Sequence, residues 1–300
     1  MSPLLRAFSV PLCLCGFFVS AAAEAQELKL AEILIPGQPW EKVAEGFKFT
    51  EGPAVDALGN VYFTDIPNNR IHKFDIASAK ASVFVENSGA SNGLMFGPDG
   101  RLYACQNGNQ KIVAYDSSGT PATIADGVNS NDLVVTRAGA VYFTDPKNSR
   151  VWHVDPKGNK KIVDEGIERP NGIILWPDQR TLVVADSAGK HLWAFVIADD
   201  GSLKDKQPFY TLALAPGQLA SRADGMTIDS DGRVYSTSLL GLQIFDTQGR
   251  LMGVIAKPQP GSLSNVVFAG PKLDTLYATA GDKLFRRKVT IHGIRYTDAH

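Results

Sequence analysis

Three hundred residues, 44% of them hydrophobic and 20% charged, are enough to bury one large core, so a single globular domain is expected. The formal net charge is −1 at pH 7 and no run of like charge stands out. Nucleic acid is thereby excluded as a partner, because tracking a phosphate backbone needs a basic excess.

The chain opens on Arg6, an apolar run from Ala7 to Val19, and small residues ending in Ala23-Glu24-Ala25. This is the pattern of a secretory signal peptide over residues 1–25, cleaved after Ala25, which directs the protein to the periplasm or the exterior. The apolar run is too short to be a membrane span. Lipidation at Cys13 or Cys15 is a lesser alternative, because bulky Leu12 and Leu14 precede those cysteines. Once the leader is removed Cys105 is the only cysteine left, so no intramolecular disulfide can form. Residues 26–300 are then the single domain.

Gln26 to Pro39 is mixed in character, and Trp40 to Phe49 (WEKVAEGFKF) reads as a strand. From Thr50 the chain repeats itself. TEGPAVDALGNVYFTD at 50–65 reads as two short strands joined by a glycine-containing turn. The same design returns as SNGLMFGPDGRLYAC from Ser91, NDLVVTRAGAVYFTD from Asn131 and NGIILWPDQRTLVVAD from Asn171. DGMTIDSDGRVYSTS from Asp224 and NVVFAGPKLDTLYATA from Asn265 complete the set. The lead residues Glu51, Asn92, Asn131, Asn171, Asp224 and Asn265 are separated by 41, 39, 40, 53 and 41 positions. A period near 40 residues belongs to propeller blades.

Each copy continues into a third strand, as in NRIHKFD at 69–75 and SRVWHVD at 149–155, and a fourth, as in ASVFVE from Ala81. Four strands in six copies predict an all-β, six-bladed propeller. The strand at 40–49 and the last strands, over 283–296, are expected to share one sheet and so close the ring. The long step holds an insertion at 198–222, expected as an elongated outer hairpin or a loop over the mouth.

First strands of blades line the central channel, so the six lead residues should meet near the axis. All six carry side-chain oxygen and none is His or Cys. Such a cluster needs a partner. A hard cation accepted by carboxylates and amide carbonyls is the simplest, calcium above all, with another divalent cation as the alternative. Glycine follows at Gly52, Gly93, Gly172 and Gly225, where a crowded axis demands close backbone approach. Each Asn-Gly or Asp-Gly alone is an ordinary turn signal, and only their phase with the repeat carries weight.

Over Trp40 to about Tyr277 the sequence resembles the senescence marker protein, gluconolactonase and luciferin-regenerating enzyme family of calcium-dependent propellers. The motifs are FTEGPAVDALGNVYFTDI, NDLVVTRAGAVYFTDP, RPNGIILWPDQRTLVVADS, ADGMTIDSDGRVY and SNVVFAGPKLDTLYAT. The resemblance implies a metal held by Glu51, Asn131, Asn171 and Asp224. It also implies hydrolysis of a lactone or related carboxylic ester, with Asp224 as general base or as ligand only. Family members acting on sugar lactones often carry arginine where this chain has Asn129, which puts gluconolactone itself in doubt. Asn92, Asn129 and Asn265 are assigned to substrate or its surroundings. Arg169 and Arg222 precede two ligand-bearing strands and read as solvated rim residues.

Two other readings stand beside this one: a non-catalytic propeller binding a ligand or protein around a structural metal, and a phosphotriesterase-type hydrolase. The aspartates closing the second strands, Asp65, Asp145 and Asp186, read as hydrogen-bonding strand ends. The five histidines show no metal-ligand spacing, no G-x-S-x-G nucleophile elbow is present, and Cys105 reads as packed.

Overall fold

Period-two alternation with glycine turns makes each copy a four-stranded antiparallel sheet. The computed structural model describes residues 30–296, so the proposed leader lies outside the described residues. A lone strand, β1 (Glu41–Glu45), comes first. Blade one is β2 (Thr50–Val55), β3 (Val61–Asp65), β4 (Arg70–Asp75) and β5 (Lys80–Glu86). Blade two is β6 (Ser91–Phe96), β7 (Leu102–Gln106), β8 (Lys111–Tyr115) and β9 (Pro121–Asp126). Blade three is β10 (Leu133–Val135), β11 (Val141–Asp145), β12 (Arg150–Val154) and β13 (Lys160–Asp164). Blade four is β14 (Pro170–Leu175), β15 (Thr181–Asp186), β16 (His191–Ile197) and β17 (Leu203–Thr211). Blade five is β18 (Met226–Ile228), β19 (Val234–Thr237), β20 (Leu242–Phe245) and β21 (Leu251–Ile255). The sixth holds β22 (Asn265–Ala269), β23 (Thr275–Ala280) and β24 (Lys283–Lys288), with β1 as its outermost strand.

The ring therefore closes as expected, through Glu41 opposite Arg286 and Glu45 opposite Lys283. A bidentate ion pair between Arg286 and Glu41 lies on the same strands. The last strand ends at Lys288, short of the 296 expected. Beyond it the chain leaves the blade: Val289 bridges to Leu34 and Gly293 to Asp229. The insertion forms the elongated outer hairpin, β16 with β17. The loop that follows is pinned by a two-way exchange between the Ala213 backbone and the Gln243 amide, at 2.9 Å each way.

Burial is concentrated between blades. Val134, Tyr142 and Val151 of blade three pack on Ile173, Leu182 and Phe195 of blade four. Comparable apolar layers recur between the other blades, and this repeated interface is what holds the ring.

The heads of the inner strands depart from this regularity. Register shifts between Glu51 and Ala54, between Ser91 and Leu94, and between Pro170 and Ile173. Strands β10 and β18 begin only after Asn131 and Asp224. A broken ladder re-aims side chains and releases backbone groups for other partners. Those groups bond to the next blade instead: Gly93 N donates to Asn131 O at 2.9 Å and Gly225 N to Ser264 O at 2.8 Å. Hydroxyls extend the belt, with Thr64 Oγ1 to Asn92 O at 3.2 Å and Thr144 Oγ1 to Asn171 O at 2.7 Å. Thr237 Oγ1 reaches Ser264 O at 3.0 Å, and Ser264 Oγ reaches Thr50 O at 2.8 Å.

Candidate active site

The lead residues converge because glycine removes what would hold them apart. A Cβ on Gly52, whose φ is +50°, would lie 2.1 Å from Asn92 O. One on Gly172 would lie 2.0 Å from Asp224 O, and one on Gly225 1.8 Å from Asn265 Cγ. The expectation of close approach at the axis is thus met in the contacts themselves.

Three carboxylates meet there, one more than the lead positions supply. The third is Asp132, which sequence reasoning passed over. Its signal was present: the position after each lead residue is glycine in four copies, and the third copy has aspartate instead. Gly93 makes the room, since a Cβ there would stand 2.1 Å from Asp132 Oδ1. Asn265 ties two of the carboxylates together, its Nδ2 donating to Glu51 Oε2 at 3.1 Å and to Asp132 Oδ2 at 3.4 Å.

The electrostatics are those of anions without a counter-ion. Burial pushes the Glu51 carboxyl up to about 7, against hydrogen bonds from Gly52 and Asn265 that lower it. Burial and the charge of Glu51 push Asp132 up to about 8. Asp224 rises well above the usual carboxylate range through burial and the charges of Glu51 and Asp132, against the Asn171 amide and the Arg169 charge. Among the described residues none of the three carboxylates is in an ion pair. Glu51 Oε1 and Asn171 Oδ1 are buried with no hydrogen-bond partner among those residues. Unpartnered oxygens beside clustered carboxylates are what a hard divalent cation would satisfy, so the residues fit such an ion. No three His, Cys, Asp or Glu side chains among the described residues are arranged to hold a metal. The asparagine oxygens would therefore have to contribute.

Two cavities flank this ring. The mouth, of about 660 Å³, is lined by Asn107, Asn129, Asn131, Lys147, Glu168 and Arg169, with Pro146 and Ala188. The second, of about 630 Å³, takes in Asp132 and Asn265 and then the apolar inner strands. Leu94, Val134, Ile173 and Ile228 are among its walls, and Ile294 and Tyr296 lie at its far side. Of the residues assigned to substrate, Asn129 lines the mouth, Asn265 faces the second cavity, and Asn92 lines neither. Arg169 lines the mouth while Arg222 does not. None of residues 198–222 lines it either.

The remaining sequence expectations are met locally. Asp65 Oδ1 accepts from the Lys48 and Phe49 amides at 3.1 and 3.2 Å, and Asp186 Oδ1 from Arg169 N at 3.1 Å. His72 stacks on Phe63 and His153 lies against Tyr142. Cys105 is fully buried.

Residues 49–282 match the family described as the SMP-30/gluconolactonase/LRE-like region. The chain belongs to that family. Within it, the chain is similar to a gluconolactonase of Zymomonas mobilis, at 28% identity over 88% of this chain and 85% of that protein. A solved gluconolactonase structure from Xanthomonas campestris superposes with a TM-score of 0.76 at 26% identity, covering 87% of this chain and 92% of that one. The calcium-binding protein regucalcin of Agrobacterium tumefaciens superposes with a TM-score of 0.72 at 18% identity, covering 85% and 96%. At that identity the last likeness concerns the fold. Among the described residues no helix of this family member is long and apolar enough to cross a membrane.

Proposed function

We propose that this protein is a lactone hydrolase that works with a divalent cation, calcium in the first place, at the floor of the mouth. The observation that carries the reading is the buried group of three carboxylates with the unpartnered oxygens of Glu51 and Asn171. Gluconolactonases among the relatives support the substrate class.

Glu51, Asn131, Asn171 and Asp224 would hold the cation. When bound, it supplies Lewis-acid polarisation of the lactone carbonyl and charge for the developing oxyanion. The protein's own groups do the rest. Asp224 takes a proton from the attacking water through the carboxylate oxygen that the cation leaves free. The water oxygen bonds to the carbonyl carbon, the acyl bond to the ring oxygen breaks, and that oxygen leaves as a hydroxyl with the proton that Asp224 had accepted. Asn129 and Asn131 line the mouth, where they can hydrogen-bond substrate hydroxyls. Asn265 acts one step back, orienting Glu51 and Asp132.

The test is hydrolysis of five- and six-membered lactones, sugar-derived and aliphatic, with calcium, after chelation and after its return. Turnover should vanish with the chelator and come back with calcium. Glu51→Ala and Asp224→Ala should abolish both cation binding and turnover, and full activity in either variant would sink the assignment.

A further inference from the structure

Arg169 and Lys147 stand on connections of neighbouring blades, one before β14 and the other after β11, and both line the same cavity. Neither side chain makes a hydrogen bond or ion pair to a described residue. Arg70, Arg101, Arg150, Arg250 and Arg286, on the blades, each hold an acidic partner. One carboxylate, Glu168, shares the rim, and its side chain pairs with neither cation. The rim thus carries two cationic heads against one anion, above the amides of Asn107, Asn129 and Asn131.

Resting on the lactonase reading, we propose that the lactone taken at this mouth carries a carboxylate outside its ring, gripped by Arg169 and Lys147. Arginine offers a planar fork to a carboxylate and lysine a mobile point charge, a pair suited to an anion on a flexible substituent. A neutral sugar lactone leaves both cations solvated and gains nothing from them. The hydrolysis is unchanged in its atoms: water adds to the carbonyl carbon, the ring ester bond breaks, and the product carries two carboxylates in place of one. A proton is released to the medium at neutral pH.

Glucono-1,4-lactone and glucaro-1,4-lactone make the probe, since they differ only in a hydroxymethyl against a carboxylate at carbon six. Wild-type protein should favour the carboxylate lactone in kcat/KM by on the order of tenfold, chiefly through KM, with the preference shrinking as sodium chloride is raised. Arg169→Gln combined with Lys147→Gln should lose about tenfold more on glucaro-1,4-lactone than on glucono-1,4-lactone, bringing the ratio toward one. Equal turnover of the two lactones by wild-type protein, or a ratio the double variant does not move, overturns the carboxylate grip and leaves the lactonase reading standing. Hydrolysis of neither lactone, nor of any other in the wider panel, overturns both.

Discussion

The two ends of the channel are built by the same strands and differ in almost every property. At the mouth, the heads of the inner strands break their ladders, bond to the neighbouring blade and bring Glu51, Asp132 and Asp224 together. Two to four residues further along, Leu94, Val134, Ile173 and Ile228 are regular strand and wholly apolar in character. Stability and chemistry therefore occupy successive levels of one strand. A substitution at the head should be felt in activity, and one at the far end in melting temperature.

The largest expected effect is at the head. Asp224→Asn should lower kcat/KM by about a hundredfold or more. The same variant should melt no lower than wild type when both are metal-free, because one of three mutually repelling anions has gone. A large loss of metal-free stability would show that Asp224 is structural and break the separation of levels.

Gly172→Ala tests the belt that joins the two levels. Its Cβ would lie 2.0 Å from Asp224 O, a backbone atom that cannot yield without moving the neighbouring blade. About 3 kcal/mol of stability should be lost, read by denaturant unfolding, together with cation affinity. A neutral result would mean the blades slide past each other more freely than their hydrogen bonds suggest.

A pH series sharpens the electrostatic side. Without a cation, Glu51 at about 7 and Asp132 at about 8 lie above their ordinary values of 4.5 and 3.8. Raised folded values mean that the stabilising contribution is complete below the ordinary values and is lost as pH climbs through the folded ones. The melting temperature of chelated protein should therefore fall between about pH 5 and pH 9, and calcium should raise it most at the alkaline end. A flat profile in the chelated protein would remove the case for a crowded anionic ring.

The smallest effect belongs to the far end. Tyr296 Oη donates to Leu175 O at 2.5 Å, and Tyr296→Phe removes only that bond. About 1 kcal/mol and a few degrees of melting temperature should go, with lactone turnover unchanged. A drop in turnover would couple the two ends.

How much of this was legible beforehand depends on the range of the interaction concerned. Hairpins, blade number and ring closure were readable, because alternation and turn glycines act over a few residues and the repeat states them six times. So were the oxygen-bearing lead positions, since their phase with the repeat fixes which residues face the axis. Asp132 was readable in principle as the one acidic departure in the glycine column, the other being Val266, yet nothing local to Asn131-Asp132 says that Gly93, 39 positions earlier, leaves a space for its carboxylate. The sequence by itself determined the repeated sheet and the placing of Glu51 and Asp224 on the same face of the ring, because both follow from periodicity. Only the tertiary structure decided that Asn265 turns inward to two carboxylates while Asn129 opens on the mouth, and that Arg169 joins Lys147 there and Arg222 does not. Those choices depend on how blades rotate against one another at a crowded axis, a long-range packing outcome that no local pattern encodes.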